Sequence, residues 1–212
     1  MRCINRLVIT FVCAVLSFDA CAHPHSFISL QTQAVTENGL LTGFKMHWTM
    51  DEMTSADLLY DAGNARPDSE VWKKVAAEVM TNVQGQHYFS ELWHNGQRIK
   101  FGNRPDSYGL ERRGHQVALT FILPLAEPQA LSGQIFTFST YDPTYFVDMY
   151  YNKASDFTLP ETIKTICTAK VITPRPDEKM VSYALSLDKG DVSSEDIKLG
   201  SYFAQKVRLQ CQ

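Results

Sequence analysis

The residues best suited to chemistry are two histidines separated by one proline, His23-Pro24-His25. Imidazole nitrogens favour zinc, copper or nickel over calcium and magnesium. Cleavage of the chain after Ala22 would add the α-amine of His23 as a third nitrogen donor. Pro24 has no amide proton, so a square-planar site built on deprotonated backbone amides cannot form in its usual shape. The residues therefore predict a chelate completed by a distant ligand or by carboxylates.

The competing interpretation is that these histidines belong to a polar terminus that frays in solvent, as most termini do. Against it, an alternating apolar strand begins immediately afterwards, at Phe27. Such a strand would anchor the terminus to a sheet and hold His23 and His25 at one edge.

Two acidic residues follow the next predicted strand and are candidate ligands. Asp51 continues the strand face that carries His47, whereas Glu52 would begin a short helix and could simply favour its positive end. His47 is the best of the remaining histidines because its face leads to Asp51. The others are single and are expected to be surface or hydrogen-bonded residues: His87, His94 and His115.

Two further carboxylates lie in an aromatic segment of the chain. Asp142 precedes Pro143, a pattern typical of a capped turn. Asp148 stands among aromatic residues in the segment 145–151. Burial of an unpaired acid there would be costly, so a cation or an arginine should compensate it. Asp142 and Asp148 complete the set of candidate metal ligands.

The amino terminus has the organisation of a secretory signal peptide. Arg2 and Arg6 precede the mostly apolar stretch Leu7 to Phe18, and the small-residue pattern Ala20-Cys21-Ala22 follows. The stretch is shorter than the roughly 20 residues that span a bilayer. We therefore expect residues 1–22 to be removed, leaving residues 23–212 as one periplasmic domain that does not span the membrane.

Export also determines the chemistry expected of the cysteines. Three leave with the signal peptide, and Cys167 and Cys211 remain. A single pair in an oxidising compartment predicts one structural disulfide. A redox-active pair is disfavoured because no C-x-x-C spacing is present.

Charge excludes some partners. Loss of Arg2, Arg6 and Asp19 changes the net charge from −3 to −4. The sequence therefore has no overall basic field for nucleic acid, and its mild acidic excess suits cations better than anions.

Alternation of apolar and polar residues dominates the chain and predicts strands. Asn-Gly pairs at Asn38-Gly39 and Asn95-Gly96 predict two hairpins. The predicted strands are 26–35, 40–50, 89–94, 98–101, 117–123, 134–141 and 162–171.

Helical spacing is confined to one region. Apolar residues recur at three- and four-residue steps from a cap at Asp68 or Ser69 to about Val83, and a shorter helix is expected over 53–60. The whole pattern predicts an α+β fold, mainly an antiparallel, sandwich-like β-sheet structure with an inserted helical hairpin.

Four segments together resemble a family of bacterial periplasmic proteins, DUF 1007. They are His23-Pro24-His25, Trp48-Thr49-Met50-Asp51-Glu52, Leu123-Pro124-Leu125 and Tyr141-Asp142-Pro143-Thr144-Tyr145-Phe146-Val147-Asp148. A zinc-utilisation member of that family, ZevA, works with a nickel/cobalt (NicO-type) membrane permease. The resemblance implies a periplasmic component of transition-metal uptake whose partner is an integral-membrane permease. It covers most of the mature chain to about Cys167.

One segment departs from the family pattern. Many relatives carry an acidic, glycine-containing loop between the two helices, where this chain has residues 61–68 with Arg66 and Pro67 among them. A calcium cage needs oxygens at alternate positions. We therefore interpret this loop as structural.

The residues leave three functional hypotheses. The first is binding or delivery of a transition metal, zinc before nickel, cobalt or copper. The second is a copper-dependent oxidase that uses an amino-terminal histidine chelate. The third is a metal-free adaptor that docks on a permease. Hydrolase motifs such as G-x-S-x-G and H-E-x-x-H are missing from the sequence.

Overall fold

A computed structural model describes residues 24–187 and 199–212 as two β-sheets packed on each other, with helices beside them. The strands are β1 (Ser26–Glu37), β2 (Leu40–Met50), β3 (Ser90–His94), β4 (Gln97–Ile99), β5 (Ser107–Arg113), β6 (Gln116–Ala130), β7 (Ile135–Thr140), β8 (Val147–Tyr150), β9 (Phe157–Thr158), β10 (Cys167–Ile172) and β11 (Lys206–Cys211). The helices are α1 (Glu52–Ala62), α2 (Glu70–Gly85), α3 (Glu178–Ser186) and α4 (Leu199–Phe203). The predicted α+β fold with a helical hairpin between β2 and β3 is confirmed.

The first sheet has the order β5-β6-β2-β1-β8, and the short β9 also pairs with β1. Its strands run antiparallel except for β8 and β9, which lie parallel to β1. The second sheet has the order β10-β11-β7-β3-β4 and is antiparallel throughout. The parallel pairs are the one departure from the predicted antiparallel arrangement.

Large apolar side chains from alternate positions form the core between the two sheets. Phe44 of β2 stacks on Phe138 of β7 with ring centroids 4.2 Å apart. Trp48 packs edge-on against Phe121 at 5.0 Å and is 1% exposed. Complete burial of such a side chain contributes about 1.5–3 kcal/mol, so these contacts hold the sheets together.

The helical hairpin covers another part of the first sheet. α2 buries an apolar stripe and contacts β5, and α1 contacts β6. The stripe consists of Trp72, Val75, Ala76, Met80 and Val83. Within the described residues, no helix is long and apolar enough to cross a bilayer.

Positive φ angles mark the predicted turns and one unexpected connection. Asn38-Gly39 and Asn95-Gly96 adopt positive φ at both positions, as the hairpin prediction requires. The turn His87–Phe89, which joins α2 to β3, also has φ between 49° and 58° at all three residues. Tyr88 in this turn is 4% exposed and its hydroxyl donates to the carbonyl of Gly102 at 3.2 Å.

One predicted strand begins later than expected. The prediction ran from Thr162 to Val171, but residues 161–166 form turns and β10 begins at Cys167. Ile163 is buried while Ile166 is 43% exposed, so these two apolar residues do not share a sheet face. The spacing of three residues between Ile163 and Ile166 is typical of a turn, which explains why the strand was predicted to begin too early.

Cys167 and Cys211 form the predicted disulfide. They are directly opposite each other on β10 and β11, and their Cα atoms are 4.0 Å apart. The bond closes a loop with a sequence separation of 44 residues.

Replacing both cysteines by serine is expected to lower the free energy of unfolding by up to about 4 kcal/mol, because the unfolded chain regains loop entropy. Urea denaturation with and without reductant would measure the loss. Reductant should destabilise the natural protein and leave the double variant unchanged. A free thiol in the oxidised protein would contradict the predicted pairing.

Candidate functional site

Of the two histidines, His25 lies immediately before the amino-terminal end of β1. His23 and the predicted signal peptide fall outside the described residues. His25 is exposed, its amide donates to the carbonyl of Phe146 at 2.9 Å, and its ring lies 4.9 Å from the Phe146 ring. The chain is therefore anchored to the first sheet as early as His25.

The parallel pairing of β1 with β8 determines what lies beside His25. Phe27 is the direct partner of Asp148 across this pair. Residues two apart in a strand share a sheet face, so His25 and Asp148 lie on one face and are diagonal neighbours across the strand pair. Diagonal neighbours are within the reach of long side chains.

Asp51 lies on the other side of Phe27. Its Oδ2 accepts the Phe27 amide at 2.6 Å, and its Oδ1 accepts the Thr54 amide at 2.7 Å as the N-cap of α1. Partial burial opposes ionisation, but these amide hydrogen bonds outweigh it and hold the pKa of Asp51 below its ordinary value. Glu52 is exposed in the first turn of α1, so Asp51 joins β1 to the helix while Glu52 faces solvent.

Asp142 organises the loop that leads into β8. Its carboxylate is buried and accepts the amide and hydroxyl of Thr144 and the amide of Val147, at distances of 2.9 to 3.0 Å. The backbone of Gly200 packs against this loop, where a Cβ atom would lie only 1.8 Å from the Asp142 carbonyl oxygen. The arrangement corresponds to the capped-turn interpretation of Asp142.

Asp148 differs from the other carboxylates. It is half-buried, and burial raises the pKa of its carboxyl group. Burial and, second, the nearby charge of Asp148 raise the pKa of Tyr145 to about 12. Within residues 24–187 and 199–212, the Asp148 carboxylate receives no hydrogen bond and forms no ion pair, so the arginine considered from the sequence is not its partner there.

The structure thus brings His25, Asp51 and Asp148 to one end of the first sheet, around Phe27. Asp142 lies in the adjoining loop, with its oxygens already occupied. In the described part of the chain, no group of three or more His, Cys, Asp or Glu side chains is placed to hold a metal ion.

Of the remaining histidines, His47 and His94 lie apart from this end of the sheet, whereas His115 lies at the same end in the β5–β6 turn, separated from β1 by β6 and β2. His47 Nδ1 lies 2.8 Å from the Thr120 hydroxyl, while its buried Nε2 has no partner among the described residues. Burial lowers the pKa of His47, and the charges of Arg113 and Lys45 lower it further. His94 Nε2 lies 2.8 Å from the Gln134 side-chain oxygen.

Comparison with known proteins places the chain in a family. The model of the family described as "Protein of unknown function (DUF1007)" matches residues 8–211. The chain belongs to the DUF1007 family. A relative from Haemophilus influenzae, described as an uncharacterized protein, is 44% identical over 200 residues, which cover 93% of this chain and 95% of the relative. No solved structure matches.

A second surface of this DUF1007 protein escaped the sequence analysis. The outer face of the second sheet carries Arg98, Lys170, Lys206 and Arg208, which we call the basic face. The four residues come from three distant parts of the chain, so no local run of charge reveals them. Alternation within β10 and β11 is the only sequence signal, since it places Lys170, Lys206 and Arg208 at outward positions.

A groove of about 850 Å³ lies on the same side of the second sheet, and Arg98 and Lys206 of the basic face line it. Glu91 lies in it, 3.6 Å from the Arg98 guanidinium, and accepts a hydrogen bond from the Trp93 indole at 3.1 Å. Burial, followed by the charge of Glu91, raises the pKa of Tyr141 to about 12. Tyr141 therefore remains protonated at neutral pH.

Asp51→Ala in this DUF1007 protein is expected to lower the free energy of unfolding by about 1–2 kcal/mol at neutral pH, because α1 loses its N-cap. The folded pKa of Asp51 lies below its unfolded value of about 3.9. The stabilisation is therefore present above that value and is lost as the pH falls through the folded pKa.

Urea denaturation near pH 7 and near pH 3 would test this, with Asp57→Ala on the exposed side of the same helix as the control. Asp57→Ala should change stability by no more than about 0.5 kcal/mol. Equal losses from both substitutions would contradict the capping role of Asp51.

Proposed function

We propose that this protein binds a transition-metal ion in the periplasm, zinc before nickel, cobalt or copper, and supplies it to an integral-membrane permease. The observation that carries the proposal is the position of His25 beside Asp148. The β1–β8 pairing puts both residues on one sheet face, and among the described residues the Asp148 carboxylate has no hydrogen-bond or ion-pair partner. A cation would compensate that charge.

The donor set suits a borderline metal. His23 and His25 supply imidazole nitrogens, and Asp148 supplies a carboxylate oxygen, which is a combination that zinc accepts in tetrahedral sites. Removal of residues 1–22 would add the free amine of His23. Asp51 can contribute only through lone pairs that its two amide hydrogen bonds leave available. Glu52 and Asp142 remain candidate ligands from the sequence, although the Asp142 carboxylate already accepts hydrogen bonds from three donor groups.

Metal binding by this donor set depends on pH. Histidine must be neutral and Asp148 ionised for both to bind a cation. Acidification therefore weakens binding, because a protonated imidazole cannot bind a cation. The raised pKa of Asp148 acts in the same direction.

The test is calorimetric titration of the processed protein with zinc, nickel and copper in separate experiments, near pH 7.5 and near pH 5.5. Binding is expected at the higher pH, with loss of one measured site in the His23→Ala, His25→Ala double variant. His115→Ala is the control, since His115 is exposed in the β5–β6 turn and is separated from β1 by β6 and β2. Equal binding by the double variant would refute this site, and no binding by the natural protein would refute the function and favour the adaptor hypothesis.

The Asp148→Asn variant tests whether Asp148 is a metal ligand or only a structural carboxylate. Without metal, the variant should be at least as stable as the natural protein, because a half-buried charge is removed. With zinc, the natural protein should gain about 2.7 kcal/mol at a free concentration 100 times its Kd, and the variant should gain less. Thermal unfolding with and without zinc measures both effects. A variant that is destabilised without metal and gains as much from zinc would contradict the assigned role.

A further inference from the structure

We infer that the basic face docks on a bilayer containing anionic phospholipid. This inference does not depend on metal binding. It rests on a row of outward side chains that crosses all five strands of the second sheet. In register, the row is Lys170, Arg208, Thr137, Trp93 and Arg98.

The charge on this face is unbalanced. Lys170 and Arg208 are directly opposite each other, and Lys206 is two residues from Arg208 on the same face. Like charges that are directly opposite destabilise a sheet. Across the described residues, none of these three cations forms an ion pair. An anionic surface would relieve this repulsion.

The single carboxylate at an outward position of these five strands is already occupied. Glu91 lies 3.6 Å from Arg98 and accepts the Trp93 indole hydrogen. It is across the sheet from Lys206, with Ser139 of β7 between them. The face therefore keeps a net positive charge, although the whole chain has a net charge of −3.

Apolar side chains among the cations favour a bilayer over an acidic protein. Trp93, Ile135 and Ile172 point outward from the same sheet and are 38%, 40% and 45% exposed. Tryptophan places its apolar ring at the headgroup level while its polar edge stays hydrated. Lysine and arginine can rest their alkyl chains on apolar surface and extend their charges to phosphates. A broad sheet face with both kinds of residue fits an extended interface.

Docking through this face leaves the candidate metal site accessible. His25 and Asp148 lie on the outer face of the first sheet, and the shared core separates that face from the second sheet. In the docked protein, the outer face of the first sheet would therefore point toward the solvent.

The experiment is cosedimentation of the processed protein with vesicles of phosphatidylcholine alone or of phosphatidylcholine with phosphatidylglycerol. Binding is expected only to the anionic vesicles and should weaken as salt rises. Lys170→Gln with Arg208→Gln should reduce the partition coefficient about 25-fold, since each basic residue near an anionic surface contributes about fivefold. The control is Lys73→Gln with Lys74→Gln on the exposed side of α2, which removes the same amount of charge.

Two further measurements test whether the variant is still folded and which face of the protein contacts the bilayer. The Lys170→Gln, Arg208→Gln variant should unfold at the same or a higher urea concentration, because a like-charge pair is removed. Trp48 and Trp72 are 1% and 4% exposed, so brominated lipid should quench mainly Trp93, and Trp93→Phe should abolish that quenching. Failure to bind anionic vesicles would overturn the proposal, and an acidic protein would then be the alternative partner. Equal losses from the two double variants also overturn it.

Discussion

The pairing of β1 on both of its edges is the constraint on which the candidate site depends. On one edge β1 pairs with β2 across a tight hairpin, which local sequence can specify. On the other edge it pairs in parallel with β8, which follows more than a hundred residues later and needs a long connection. The hydrogen bonds to Asp142 shape the end of that connection. The β1–β8 pairing puts His25 and Asp148 on one face, and the β1–β2 pairing brings Asp51 to the same end of the sheet.

This division also explains how much of the fold and the site was predictable. The two Asn-Gly hairpins, the long helix and most of the alternating strands follow from short-range patterns and were predicted within a few residues. The strands β5, β8, β9 and β11 and the helices α3 and α4 were not predicted. The parallel partner of β1 has no local signal, because any exposed strand edge of suitable length could accept β8. The sequence therefore identified His25 and Asp148 as candidate ligands of one site, without indicating that Asp148 in particular shares a sheet face with His25. The same limitation applies to Asp142, whose turn was expected but whose contact with Gly200 was not.

Net charge proved a poor guide to surface chemistry for a related reason. An overall acidic balance removed polyanions from consideration, yet Lys170, Lys206, Arg208 and Arg98 collect on one sheet face. Most acidic side chains lie on other surfaces, including the exposed Glu52 and Asp57 of α1. Averages over the chain cannot detect such segregation, because it arises from strand order.

The left-handed turn at His87–Phe89 bears on how the molecule folds. For residues other than glycine, this backbone conformation costs roughly 1–2 kcal/mol per residue. The turn is therefore unfavourable on its own and requires the buried contacts of Tyr88 with Phe121 and of Phe89 with Trp48. Phe121 and Trp48 belong to the first sheet, whereas the turn leads directly into β3 of the second. Side chains of the first sheet therefore stabilise the connection from α2 into the second sheet, so that loosening the first sheet would also destabilise the entry into β3.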